Sequence, residues 1–165
     1  MRDLFCKFKI LLLIVSMAPL SLFGLVACQE KTSPYHLMIE FCQSYGISDT
    51  VFSPSLTSGD EGYADEKFFE TVYGETPEYV SDYAVVFLSS LDFAGECALF
   101  LCYSEYDALV ACDIFRRRVA LIKSVGSGVD TSYVSDAVIF KSDRYVVMCA
   151  LDNNDEAKRL WRKIL

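Results

Sequence analysis

The sequence predicts an α+β fold, a two-layer sandwich with a four-stranded antiparallel sheet in ββα-ββα order behind two short N-terminal helices. Four β-rich runs occur as two closely spaced pairs, which is typical of hairpins. Each pair precedes a longer stretch with apolar residues at helical spacing. Residues 35–165 contain all of these elements, a length that suits one domain.

The two N-terminal helices are predicted from apolar residues that recur on one side and from the glycine that ends each stretch. The first ends at Tyr45 with Gly46 as its C-cap, and the second covers residues 64–73 before Gly74. The intervening residues 48–62 are rich in Ser, Thr, Asp, Gly and Pro, which indicates a loop.

The first hairpin is predicted to pair residues 83–90 with residues 96–103. Ser104 and Asp107 then form a capping-box-like start to a helix that runs to about Lys123. The apolar residues of this helix share one side, so we expect it to pack on the sheet.

The second hairpin is predicted to pair residues 134–141 with residues 144–151, and the last helix follows with Asn153 or Asn154 as its N-cap. The two longer helices are expected on one face of the sheet. Because the strands are apolar at almost every position, the second face should also be covered. Either the two N-terminal helices or another protein would cover it.

Two clusters of charge are candidates for ligand sites, and both are interpreted as solvated surface. Arg116, Arg117 and Arg118 diverge by about 100° per residue on a helix, so they do not converge on one phosphate. An acidic region around the second helix lacks the alternating ligands and the glycine of an EF-hand loop. It contains Asp60, Glu61, Asp65, Glu66, Glu70, Glu75 and Glu78.

The chain begins with the parts of a secretory signal. Basic residues precede a charge-free apolar stretch that ends in Leu-Val-Ala-Cys at residues 25–28. This run resembles the lipobox of bacterial lipoproteins, whose cysteine is acylated and becomes the new N-terminus. The prediction is a signal peptide at residues 1–27, fatty-acyl chains such as palmitate on Cys28, and a short linker over residues 28–34.

An uncleaved membrane anchor is the alternative to this processing. The charge-free residues 10–26 are shorter than a span of about 20 residues, and Pro19 and Gly24 interrupt them. Either outcome places the rest of the chain outside the cytoplasmic membrane. We expect it at the outer face of the cell membrane, held there by the lipid on Cys28.

The charge balance excludes nucleic acid as a partner. The full chain has a formal charge of −8. Removing residues 1–28 takes away three basic residues and one acidic residue, a net charge of +2, which leaves −10. Binding to phosphate backbones depends on an excess of clustered Lys and Arg, whereas acidic residues outnumber basic ones in this chain.

The cysteines do not form a recognisable disulfide framework or metal site. Five remain when Cys6 and Cys28 are set aside, an odd number that cannot pair completely within one chain. We expect most of them to be small buried apolar residues, although the sequence leaves their redox state open. The only histidine, His36, has no cysteine at ligand spacing, so no metal or cofactor is predicted. The five are Cys42, Cys97, Cys102, Cys112 and Cys149.

The order of motifs resembles a known family. After the lipobox come a short helix ending in Tyr73-Gly74, a strand beginning at Glu96, a helix with Arg117 or Arg118 near its middle, and Arg144-Tyr-Val-Val-Met before the terminal helix. This arrangement resembles small uncharacterised lipoproteins of clostridia and related Gram-positive bacteria, which contain a domain of unknown function. The resemblance implies a location and a fold, and it implies no activity.

Two function classes fit these observations. The first is a non-catalytic interaction module that binds an envelope protein, or a second copy of itself, through the second face of the sheet or the acidic region from Asp60 to Glu78. The alternative is an extracytoplasmic hydrolase that acts on cell-wall material through carboxylates such as Asp82, Asp92 or Glu96. No pair of carboxylates is singled out and no catalytic motif is present, so no catalytic residue is assigned.

Overall fold

The computed structural model describes residues 33–88, 95–124 and 132–165, without the side chains of Ser132 and Tyr133. Within these ranges it has four α-helices and five strands. The helices are α1 (Pro34–Tyr45), α2 (Glu66–Tyr73), α3 (Glu105–Ser124) and α4 (Asn154–Ile164). The strands are β1 (Val51–Phe52), β2 (Val80–Phe87), β3 (Glu96–Cys102), β4 (Val138–Ser142) and β5 (Tyr145–Ala150). The predicted signal peptide and Cys28 lie outside the described residues.

The strands form one antiparallel sheet in the order β1-β2-β3-β5-β4. The α+β class and both predicted hairpins are confirmed. The prediction of four strands is wrong, because residues 51–52 of the predicted loop pair with β2, Val51 opposite Val86 and Phe52 opposite Val85. A strand of two residues has no alternation for a sequence pattern to detect.

The predicted ββα-ββα order also needs correction before β4. Residues Ser132–Asp136 form a 3-10 helix, and β4 begins only at Val138. Val134 of this turn is fully buried. A buried apolar residue next to a strand has the same sequence pattern as the first residue of that strand, so the predicted strand began too early. Of the two predicted N-caps, Asn153 and Asn154, it is Asn153 that caps α4, since its side chain accepts a hydrogen bond from the Glu156 amide.

The helices lie on both faces of the sheet, so the predicted two-layer sandwich has three layers. Helices α2 and α3 pack on one face, and α1 and α4 pack on the other. The helices that follow the two hairpins, α3 and α4, therefore lie on opposite faces, whereas the prediction placed them on one face. Strands that are apolar on both sides require this arrangement, because each face must be removed from water.

The first core lies between the sheet and the helices α2 and α3. Its centre is aromatic, with the ring centroids of Phe100 and Phe115 4.2 Å apart and those of Phe69 and Phe100 5.1 Å apart. Asp65 accepts a hydrogen bond from the Phe68 amide at the start of α2, and Gly74 ends the helix with a φ of 79°. These caps fix the position of the short helix above the aromatic cluster.

The second core lies between the sheet and the helices α1 and α4. Phe41 of α1 stacks on Trp161 of α4 with ring centroids 4.7 Å apart, and neither side chain is exposed. The second face of the sheet is thus covered within the chain, by the first and last helices of the described residues. None of the helices in the described ranges has the length and apolar character needed to cross a membrane.

Candidate functional site

A buried polar cluster joins three elements of the first core. Glu96, the first residue of β3, has 1% of its surface exposed. Its Oε2 atom accepts a hydrogen bond from Arg118 Nε at 2.8 Å and forms an ion pair with Arg118 Nη2, 2.6 Å away. Its Oε1 atom accepts a hydrogen bond from the Tyr73 hydroxyl at 3.2 Å. Arg118 also donates from Nη1 to the carbonyl of Val72, 3.3 Å away, so the cluster ties the end of α2 to β3 and α3.

The electrostatics of this cluster are those of a structural ion pair. Burial raises the pKa of Glu96, and the nearby Arg118 and Tyr73 oppose that increase. Burial and the neighbouring Glu96 carboxylate hold the pKa of Tyr73 well above its ordinary value. Both Glu96 oxygens have donors and the side chain does not reach solvent, so this candidate carboxylate does not contact a substrate.

The three arginines of α3 have three different partners, as their predicted divergence requires. Arg116 pairs with Asp113 and Arg117 pairs with Glu75, both near the surface. Arg118 points inward, with only 19% of its side chain exposed. The interpretation as a solvated face is therefore confirmed for Arg116 and Arg117 and wrong for Arg118. Arg118 turns inward because its partner Glu96 is buried, and no pattern in the sequence indicated that Glu96 is buried.

The carboxylates of the acidic region from Asp60 to Glu78 differ in their contacts with the rest of the chain. Asp65 caps α2, Glu61 accepts a hydrogen bond from the Thr50 hydroxyl at 2.9 Å, and Glu75 pairs with Arg117. Glu66 and Glu78 are exposed, and their side chains have no hydrogen bond or ion pair with the described part of the chain. These two carboxylates remain available to a ligand.

The residues that line an open groove of about 360 Å³ include these two glutamates and Asp82. We call it the acidic groove. It is lined by Glu66, Glu78 and Asp82, by Tyr83 and Tyr103, and by Pro77, among other residues. None of the described residues that line it is basic. The groove therefore combines negative charge with aromatic surface.

Two side chains shape the acidic groove. The Tyr83 hydroxyl lies 2.8 Å from the Asp65 carbonyl and 3.1 Å from the Ala64 carbonyl, which fixes its ring beneath the start of α2. Tyr103 follows β3 and has 62% of its surface exposed, so its ring is accessible to a partner. Partial burial raises the pKa of Asp82, and a hydrogen bond from the Tyr83 amide opposes this increase.

The three carboxylates proposed for hydrolysis thus do not form one site. Asp82 lines the acidic groove beside Glu66 and Glu78, Glu96 is buried in its ion pair, and Asp92 lies outside the described residues. The sequence indicated Asp82 as a candidate but did not indicate that Glu66 and Glu78 share its groove. That juxtaposition depends on how α2 packs against the sheet.

All five cysteines of the described ranges are buried and unpaired, which confirms the interpretation as small apolar residues. Burial raises the pKa of the Cys42 thiol to about 12 and the pKa of the Cys102 thiol to about 12. Thiols held in this way are poor nucleophiles. Among the residues that the structure describes, no group of three or more His, Cys, Asp or Glu side chains has an arrangement that could hold a metal ion.

Comparisons with protein-family models, with curated proteins and with solved structures give no match to this chain. The resemblance to small clostridial-type lipoproteins therefore stays a prediction. Three of the residues on which it rests, Tyr73, Glu96 and Arg118, meet in the buried cluster. Their shared role in this chain is to join α2, β3 and α3.

Proposed function

We propose that this protein is an extracytoplasmic lipoprotein, anchored through Cys28, that acts as a non-catalytic interaction module in the cell envelope. The acidic groove is the observation that carries this proposal. Two of its carboxylates, Glu66 and Glu78, have no partner among the described residues, and Asp82 lines the same groove. An accessible cluster of carboxylates favours a cationic partner.

The chemistry of the groove favours a basic segment of an envelope protein. Lys and Arg side chains can pair with the carboxylates and can lie against the face of an accessible tyrosine such as Tyr103. The formal charge of −10 that remains once residues 1–28 are set aside adds a long-range attraction for such a segment. Of the two surfaces considered for binding, the second face of the sheet is buried under α1 and α4, which leaves the acidic region.

The test is chemical cross-linking on intact cells that carry a tagged copy of the full chain, followed by affinity capture. Glu78→Gln and Asp82→Asn remove charge from the acidic groove. Glu40→Gln removes one charge from the exposed surface of α1 and is the matched control. We expect one reproducible partner that is lost in the groove variants and retained in the control. Capture that is identical in all three variants would contradict the proposal, and recovery of the tagged chain only with itself would indicate self-association.

A direct binding measurement tests the chemistry of the groove without a cellular partner. The probe is a synthetic tetralysine peptide, titrated into the detergent-solubilised full chain at low and physiological ionic strength. Binding should weaken with salt, because the screening length between exposed charges falls from about 30 Å at about 0.01 M to about 8 Å at physiological ionic strength. It should also weaken in Glu78→Gln and remain unchanged in Glu40→Gln. Equal binding by both variants would exclude the groove as the site.

The anchor is tested separately. Cys28→Ala should release the protein from the membrane or leave an unprocessed precursor, because stable anchoring requires acyl chains on that cysteine. Metabolic labelling with a fatty-acid analogue measures the outcome directly. Labelling that is unchanged in Cys28→Ala would remove the proposed anchor while leaving the proposal for the groove intact.

A hydrolase acting on cell-wall material is the second candidate function. The observation that favours it is that Asp82, whose pKa is raised by partial burial, lines the same groove as Glu66 and Glu78. Carboxylate hydrolases use a pair of Asp or Glu residues that flank the bond to be cleaved. Incubation of the full chain with purified peptidoglycan fragments should then give new products that Asp82→Asn abolishes. Products that persist in Asp82→Asn would assign the activity elsewhere.

A further inference from the structure

Two cysteines face each other across the centre of the sheet. Cys97 of β3 and Cys149 of β5 are directly opposite in the strand register. Their sulfur atoms are 3.4 Å apart, and both side chains are fully buried. Directly opposite residues of antiparallel strands have Cα atoms about 4.5–5.5 Å apart, which falls inside the range of about 4.4–6.8 Å found for disulfides. The backbone therefore holds these two residues at disulfide distance.

We propose that Cys97 and Cys149 are a redox pair that closes to an intrachain disulfide between β3 and β5 when the folding chain meets a disulfide oxidant. The reaction is thiol–disulfide exchange with an oxidant such as glutathione disulfide. One cysteine thiolate attacks the oxidant to give a mixed disulfide, and the second displaces the remaining glutathione thiolate. Two S–H bonds of the protein and the S–S bond of the oxidant break. One S–S bond forms in the protein, and two protons and two electrons pass to two glutathione molecules.

Burial restricts this reaction to the folding chain. Neither side chain is exposed in the folded protein, and burial holds the pKa of the Cys97 thiol well above its ordinary value. A buried neutral thiol reacts slowly with oxidants. The exchange must occur while β3 and β5 are pairing, before α1 and α4 cover this face of the sheet. Afterwards the same burial protects the disulfide from reductants.

The fold also provides a reporter for this bond. Trp161 is the single tryptophan of the chain. Its Nε1 atom donates a hydrogen bond to the Cys97 sulfur, 3.4 Å away. Oxidation changes that acceptor from a thiol into a disulfide sulfur, so the fluorescence of Trp161 should change when the bond forms. Cys102 and Cys112 belong to the core on the opposite face of the sheet and should have no such effect.

The experiment uses the full chain, solubilised in detergent and refolded from denaturant in glutathione buffers of increasing oxidised fraction. Samples are quenched in acid, denatured and alkylated, and then analysed by intact mass and peptide mapping. We expect the oxidised protein to lose the mass of two hydrogen atoms and to retain two fewer alkylatable cysteines. A single crosslinked peptide pair should contain Cys97 and Cys149. Dithiothreitol added under denaturing conditions should restore both thiols.

The variants separate this pair from the other cysteines. Cys149→Ala should abolish both the crosslink and the change in Trp161 fluorescence, whereas Cys102→Ala should retain both. Complete alkylation of Cys97 and Cys149 after oxidative refolding would overturn the proposal. A crosslink from Cys97 to Cys42, the third cysteine of the same core, would also overturn it. Peptide mapping of the wild-type chain decides between these outcomes even where a variant does not fold.

Discussion

Arg118 contacts the buried Glu96 carboxylate at Oε2, which accepts a hydrogen bond from Nε at 2.8 Å and lies 2.6 Å from Nη2. The other carboxylate oxygen accepts from the Tyr73 hydroxyl. The pair, together with Tyr73, therefore gives each carboxylate oxygen a hydrogen-bond donor. It joins the middle of the longest helix to the first residue of a central strand.

Removing one partner of this pair should strongly destabilise the fold. Arg118→Met leaves the Glu96 carboxylate buried without its counterion, which typically costs about 3–5 kcal/mol. Arg117→Met is the matched control, since its partner Glu75 is near the surface and such pairs contribute about 0–1 kcal/mol. Urea unfolding of both variants measures the difference. Equal losses in the two variants would show that burial of Glu96 does not determine the cost.

The loop between β1 and α2 should be sensitive at one glycine and tolerant at another. A Cβ atom on Gly62 would lie 2.3 Å from the carbonyl oxygen of Val51, and the residue has a φ of +86°. Gly59 has a φ of +102° but no heavy atom within 4 Å of its Cβ position. Gly59→Ala should cost about 1–2 kcal/mol from backbone strain alone. Gly62→Ala should cost more, because β1 must move.

Denaturant midpoints of Gly59→Ala and Gly62→Ala test this difference. A cost for Gly62→Ala no greater than that for Gly59→Ala would mean that the loop shifts freely relative to β1. In that case the hydrogen bond from the Ser53 amide to the Gly62 carbonyl, at 2.9 Å, would not hold the loop in place.

The stability of the protein should depend on the ionisation of Asp82. Its pKa is raised on folding, so the stability that the neutral acid contributes is fully present below about pH 4. That contribution is lost as the pH rises through the folded pKa. The wild type should therefore lose stability relative to Asp82→Asn as the pH rises from about 4 toward neutrality.

Urea unfolding at a series of pH values measures the difference between the wild type and Asp82→Asn. Asp60→Asn, which removes an exposed carboxylate of the same region, is the control. A difference between wild type and Asp82→Asn that stays constant with pH would contradict the prediction. Binding of the tetralysine peptide should increase over the same pH range, because Asp82 gains its charge.

The stacked pair of Phe41 and Trp161 should be a major contributor to the second core. Phe41→Ala leaves a cavity next to Trp161, and such substitutions typically cost about 3–5 kcal/mol. Leu121→Ala, at a position with 52% of its surface exposed, should change stability by less than about 0.5 kcal/mol. Because the chain has one tryptophan, the emission of Trp161 should shift to longer wavelength only in Phe41→Ala. An unshifted spectrum would indicate that the cavity collapses around the indole ring.

Local patterns were sufficient to predict most of the elements. Gly46 and Gly74 end their helices with positive φ angles, and Asn153 caps α4, as their residue types indicated. The apolar strands correctly indicated that both faces of the sheet are covered. Which helix lies on which face was not predictable, because a helix with one apolar side can pack on either face of such a sheet.

The candidate site was less predictable for a related reason. Glu66, Glu78 and Asp82 come from α2, the segment after it and β2, and only tertiary packing brings them to one groove. Glu96 appeared to be one of many carboxylates, yet it is among the largest fully buried side chains. Local sequence patterns do not indicate such a pair, because Arg118 follows Glu96 by 22 positions.

The packing of α1 against α4 has a consequence for biogenesis. The Tyr45 hydroxyl donates to Asp152, 107 positions later in the chain, at 2.6 Å, and Phe41 stacks on Trp161. Contacts of such long sequence separation form late and slow the folding reaction. A chain in which α4 has not yet docked leaves the part of the sheet under α4 exposed to water and to chaperones. The native state therefore forms only once residues 154–164 are available to pack, and deletion of α4 should direct the chain to proteolysis.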